Sequence, residues 1–133
     1  MLKSETQKQL DEFDFKRAAG IHLNPENRWV EYADRIPWDK LEDKYAGFFH
    51  EYKNPVTSPV RLAIACLLIQ DKYQYSDEDL LAFLKENVYY QFFIGLKHFS
   101  YDIPLNTESI AFFRNILTPD IISDVKEMIR KEG

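Results

Sequence analysis

Ser58-Pro59-Val60-Arg61-Leu62-Ala63-Ile64-Ala65-Cys66-Leu67-Leu68-Ile69-Gln70-Asp71-Lys72 is the stretch that decides the fold. Ser58 is a strong N-cap residue and Pro59 suits the first helical position, where no amide hydrogen is needed. From Val60 to Ile69 only Arg61 is polar. A helix that is apolar nearly all round is one surrounded by other elements, so a central helix over 59–73 is expected. The apolar run is far too short to span a bilayer. On either side of it the dominant periodicity is again helical, and alternation of strand type is hard to find.

Before the central helix, residues 1–20 mix acidic, basic and glutamine side chains and end in Ala18-Ala19-Gly20, which reads as a polar N-terminal segment with a frayed helix stopped at Gly20. Asn24-Pro25-Glu26 opens a short helix through Trp29, Tyr32 and Ala33. Ile36-Pro37-Trp38 interrupts it, and Pro37 restarts a helix that buries Leu41, Tyr45, Phe48 and Phe49. Asn54-Pro55 to Ser58-Pro59 is a stiff connection.

Beyond the central helix, Ser76 caps an acidic first turn, Asp77-Glu78-Asp79, and Leu80, Leu81, Phe83 and Leu84 form its inward stripe. Asn87 either ends that helix or caps the next, Val88 to Ile94, which stops at Gly95. Residues 96–106 read as a loop. Thr107-Glu108 caps a helix bearing Ile110, Phe113 and Leu117, and Thr118-Pro119-Asp120 starts the last one, with Ile121, Ile122, Val125, Met128 and Ile129 inward and basic residues at its end. The expected architecture is all-α: about seven short helices around helix 59–73, in one domain over 21–133, with a helix-turn-helix-like element near 96–117.

Composition bounds the function. The 133 residues carry 17 Lys plus Arg against 22 Asp plus Glu, a formal charge of −5, which excludes a basic nucleic-acid coat. None of the segments 1–20, 21–58, 59–100 and 101–133 is net positive. One cysteine cannot form an internal disulfide, the N-terminus lacks the apolar core of a signal peptide, and a cytoplasmic location is expected.

Each chemical candidate has a structural reading beside it. His22, His50 and His98 lie in separate segments without metal-ligand spacing, so no metal and no cofactor is expected. Cys66 reads as a small buried hydrophobe. Gly20, Gly47, Gly95 and Gly133 are too scattered for a phosphate loop. Asp34, Asp39, Asp43 and Asp77-Glu78-Asp79 read as caps and solvated helix faces. Tyr89-Tyr90-Gln91-Phe92-Phe93 could stack on bases, but no Lys or Arg interleaves it, and core packing is the better reading.

Five segments, in order, resemble the N-terminal domain of bacterial insertion-sequence transposases of the DDE type. They are Asp34-Arg35-Ile36-Pro37-Trp38-Asp39-Lys40-Leu41; Ser58-Pro59-Val60-Arg61-Leu62-Ala63; Tyr75-Ser76-Asp77-Glu78-Asp79-Leu80; Asn87-Val88-Tyr89-Tyr90-Gln91-Phe92-Phe93-Ile94-Gly95-Leu96; and Pro104-Leu105-Asn106-Thr107-Glu108-Ser109-Ile110-Ala111-Phe112-Phe113-Arg114. The resemblance spans about residues 29–118. It implies a non-catalytic helical domain that recognises the terminal repeats of a mobile element and helps assemble the transposition complex. The ribonuclease-H-like domain that carries the DDE metal site in this family has no counterpart in these 133 residues, so the chain is expected to be an isolated domain, a fragment or the product of a truncated gene.

One departure bears on DNA. The family commonly follows its Phe-Arg element with further basic residues, whereas this chain reads Arg114-Asn115-Ile116-Leu117. Two readings follow. In the first, helix 107–117 enters the major groove, with Ser109, Arg114 and Asn115 reaching bases or phosphates and Arg61 and Lys97 adding phosphate contacts. Arg114 has an equal alternative as a helix-face charge paired with an acid. In the second, the acidity and the 10 Phe, 8 Tyr and 2 Trp point to a helical interaction module that packs on the catalytic domain or forms a homodimer.

Overall fold

A computed structural model describes residues 23–50, 52 and 57–132, with only the backbone at 131 and 132. The readings made above for residues 1–20, His22, Asn54-Pro55 and the last basic side chain, Lys131, lie outside these. Among the described residues, seven α-helices follow in order: α1 (Arg28–Arg35), α2 (Trp38–Tyr45), α3 (Pro59–Tyr73), α4 (Asp77–Glu86), α5 (Val88–Phe93), α6 (Thr107–Ile116) and α7 (Pro119–Glu132). A 3-10 turn, Ala46–Phe49, extends α2. The described residues contain no strand.

α3 is the axis of the fold. Every residue from Leu62 to Ile69 is buried, because α2 with its 3-10 turn, α4, α6 and α7 all pack against it. Ser58 caps it as its sequence demands, accepting from the Arg61 amide at 3.3 Å. The same hydroxyl lies 2.5 Å from both Glu42 carboxylate oxygens, which ties the start of α3 to α2. A second layer of aromatic rings is centred on Phe93, whose ring lies 4.7 Å from Trp29 and 5.8 Å from Trp38.

Several boundaries fall elsewhere than expected. α1 is capped by Asn27, whose side chain accepts from the Trp29 amide at 2.8 Å, and not by Asn24. Asn24 instead accepts from the Glu26 amide at 2.9 Å and closes a turn around Pro25, a position that suits proline as well as a helix start does. α6 is capped by Asn106 rather than Thr107, through a capping box with Ser109. Asn87 fills both of its candidate roles: its amide closes α4 on Phe83 O, and its side chain accepts from the amides of Tyr89 and Tyr90.

Two aromatics expected inside lie outside. Phe48 is 58% exposed, since the chain leaves α geometry at Tyr45 and Phe49 alone takes the inward place. Phe83 is 40% exposed and stacks on Tyr75 at 4.7 Å, because Leu80 and Leu84 already fill the narrow stripe of α4. Residues 96–106 form an irregular connection, and the short turn in this region, Leu117-Thr118, joins α6 to α7.

α3 ends on Gln74 at φ +56°, a left-handed conformation in which a side chain is mildly strained. Gln74→Gly is therefore expected to raise stability by about 0.5–1 kcal/mol, read as a higher urea midpoint at unchanged slope.

Candidate nucleic-acid interface

The five polar residues singled out in the sequence separate into internal braces and surface groups. Arg61 is a brace. Its guanidinium lies 4.7 Å from the Trp38 ring centroid, and it donates from Nε to Phe93 O and from Nη2 to Phe92 O, both at 3.1 Å. It thus caps the carbonyl end of α5, where a cation is favoured by the helix dipole. Ser109 is turned inward on its own helix end, accepting from the Asn106 amide at 3.3 Å and donating to Asn106 Oδ1 at 3.1 Å. Lys97 is exposed in the turn after α5.

Arg114 and Asn115 are exposed in the last turn of α6. Arg114 is not isolated. Nη1 and Nη2 donate to Asp77 Oδ1 and Oδ2 at 2.5 and 2.9 Å, and Nη1 also reaches Gln70 Oε1 at 3.3 Å. Gln70 Nε2 completes the ring by donating to Asp77 Oδ1 at 2.7 Å. α3, α4 and α6 each contribute one member. Asp77 is therefore not part of a solvated face: hydrogen bonds from Arg114, then from Gln70, hold its carboxyl below the usual carboxylate range. Arg114 rises correspondingly, chiefly through its hydrogen bond to Asp77.

This node forms one rim of an open groove of about 490 Å³ between α3, the end of α6 and the start of α7. Leu67 and Leu117 lie on its floor. Ser123 and Lys126 of α7 line the opposite side, and Lys126 pairs with Asp71. Each cation on the groove thus faces one carboxylate, so the groove carries no large positive field.

Sequence reasoning missed Gln70, Asp77 and Lys126 as members of this surface. Gln70 carried a signal, as the first polar residue after the apolar run of α3. The pairing of Asp77 with Arg114 carried none, because nothing in either segment fixes how the two helices meet.

The remaining candidates are structural. Cys66 is fully buried, and burial pushes its thiol well above its ordinary range, leaving no thiolate to react. His50 and His98 are exposed on separate segments, and no three of His, Cys, Asp and Glu come together among the described residues. The aromatic run 89–93 packs inward as expected: Phe93 is fully buried, and the Tyr90 hydroxyl meets that of Tyr75 at 3.0 Å. Gln91 within it is fully buried too. It donates to Leu84 O and Ser100 O and accepts from the Ser100 amide, all at 2.8 Å. No described helix is long and apolar enough to cross a membrane.

Fold and surface together define an all-α module with an open groove of mixed polar and apolar lining and a heavily braced interior. Residues 17–115 match the family model described as "Transposase domain (DUF772)", which covers well over half of the chain. The chain belongs to this transposase domain family. It is also 25% identical, over 103 residues, to "Uncharacterized protein ORF8 in nfe locus" of Rhizobium meliloti, a match covering 77% of this chain and 49% of that protein. The chain spans about half the length of this curated relative. No solved structure matches it.

The segment 87–96 that carried much of the resemblance is explained by these contacts. Asn87 caps two helices, Tyr90 and Phe93 fill the core, Gln91 pins the following loop, and Gly95 allows Arg61 to approach. It is a folding signature.

Proposed function

We propose that this chain is a non-catalytic helical domain of an insertion-sequence transposase, and that the surface formed by α6 and α7 binds the terminal repeat of the element. Membership of the transposase domain family carries the reading. The surface supports it, because Arg114 and Asn115 of α6 and Lys126 of α7 are polar side chains flanking the short turn Leu117-Thr118. Arg61 and Ser109 are not included in this surface, since Nε and Nη2 of Arg61 hold the carbonyl end of α5 and the Ser109 hydroxyl holds the cap of α6. Binding is salt-sensitive and modest, as expected of few phosphate contacts on a chain of charge −5.

In a fluorescence anisotropy titration at low salt, the chain is expected to bind a duplex carrying the inverted repeat that flanks its gene. Arg114→Ala is expected to weaken this about tenfold, the effect of losing one well-placed contact of about 1.4 kcal/mol. Absence of binding at micromolar protein would overturn the proposal.

A second reading rests on Phe48, Tyr52 and Phe112. Tyr52 and Phe112 stack at 5.7 Å, and Phe48 and Phe112 are both exposed, as in a contact face for another protein. A strictly monomeric chain in sedimentation would remove self-association from it.

A further inference from the structure

We propose that Asp77 and Gln70 are specificity-determining residues: they hold Arg114 so that it reads a base edge instead of anchoring a phosphate. This rests on the DNA-binding reading above and concerns the same surface.

A guanidinium has five N–H donors in a rigid fork. Asp77 takes one from each terminal nitrogen of Arg114, and Gln70 accepts from Nη1 as well. Nε–H and the second hydrogen of Nη2 are left, and no acceptor among the described residues engages them. These two lie parallel on one edge of the fork, the arrangement that pairs with O6 and N7 of guanine in the major groove.

Two further facts favour base over phosphate. Asp77 cancels the charge of Arg114 at contact distance, and charge is what a phosphate contact and its counterion release require. The three-helix node also fixes the side chain, although its surface is 46% exposed, and a fixed fork discriminates between bases where a mobile one does not. Lys126 is likewise paired with Asp71, so neither cation lining the groove offers an uncompensated charge to a phosphate. Elsewhere among the predicted contacts, Arg61 shows the contrast: its Nε–H and one Nη2–H, the edge that Arg114 keeps open, already donate to the carbonyl groups of Phe93 and Phe92.

The test compares the full 133-residue chain with its Asp77→Asn and Gln70→Leu variants, after circular dichroism has shown each to be helical. Each is titrated against the terminal-repeat duplex and a shuffled duplex over a series of salt concentrations. Asp77→Asn restores a free cation, so affinity for the shuffled duplex is expected to rise about tenfold. Its salt slope should steepen by about 0.9, the increment for one phosphate contact. Preference for the repeat should fall at least fivefold, a loss of about 1 kcal/mol of discrimination. Gln70→Leu removes a brace without changing charge, so preference should fall while the slope stays put. If Asp77→Asn does not fold, Gln70→Leu decides alone. Variants that keep the wild-type preference would overturn this inference and leave the DNA-binding reading standing, as would a wild-type chain that binds both duplexes equally. A wild-type chain that binds neither duplex would overturn both.

Discussion

Gly95→Ala is expected to destabilise the fold by about 3 kcal/mol, seen as a fall of roughly 10 °C in thermal midpoint for a chain of this size. Two independent effects add. Gly95 has φ +99°, a region that residues with a Cβ rarely adopt, and forcing one there costs about 1–2 kcal/mol. A Cβ built at this position would also stand 2.3 Å from Thr57 Oγ1 and 3.1 Å from Arg61 Cδ. Neither neighbour yields easily. Thr57 Oγ1 lies on a short branched side chain, and Arg61 cannot withdraw without giving up its hydrogen bonds to Phe92 and Phe93.

The two effects can be separated. In a Thr57→Ala background the overlap with Oγ1 is gone while the backbone strain stays, so Gly95→Ala should cost about 1 kcal/mol less there than in the wild type. Equal cost in both backgrounds would assign the whole loss to φ. A loss below about 1 kcal/mol in the wild-type background would contradict this account of the Arg61 brace.

Gln91→Leu is expected to cost about 3 kcal/mol although leucine is apolar and of similar size. Substitution at a buried apolar site would be nearly neutral, but Gln91 is a buried amide with three partners. Leucine leaves Leu84 O, Ser100 O and the Ser100 amide without their bonds, and each buried orphan costs about 1–3 kcal/mol. The Ser100 groups are only partly buried, so water recovers some of the loss and the lower part of the range applies. The urea midpoint should fall at constant slope. Hydrogen exchange should quicken first in residues 96–106, because Gln91 is what fastens that connection to the end of α4. Uniform quickening across the chain would instead place Gln91 among ordinary core residues.

Much of this fold was legible in the residues. Ser58-Pro59 opens α3 and the apolar run makes it central, since a helix with no polar face must be covered on all sides. Ser76 and Asn87 also mark their helix ends, because a short side-chain oxygen next to free amides is a local signal that needs no tertiary context. The errors at Asn24 and Thr107 have one cause. Where two cap residues lie within three positions, both satisfy the local rule, and the sequence alone does not choose between them; the helices start from Asn27 and Asn106.

The candidate site was less legible. Arg114 was singled out through the family pattern and Asn115 as its neighbour on the same helix, and both side chains are exposed. Arg61, read as a phosphate contact, also braces main-chain carbonyl groups 32 and 31 positions away, which the sequence does not reveal because carbonyl groups carry no sequence identity. Lys126 was not singled out, since a lone lysine in a helical segment carries no local signal of its neighbours.

The sequence by itself determined that this protein is a helical domain, with α3 at its centre, Cys66 inert and the aromatic run 89–93 inside. Those properties follow from local capping and from the apolar periodicity of each segment, which act within a few residues of chain. Only the tertiary structure decided which polar groups are spent and which are left over. Asp77 meets Arg114 across 37 positions, Gln91 reaches Ser100 through a loop, and Gly95 makes room for Arg61. Such pairings depend on how helices cross, and the crossing is set by the packing of the whole core.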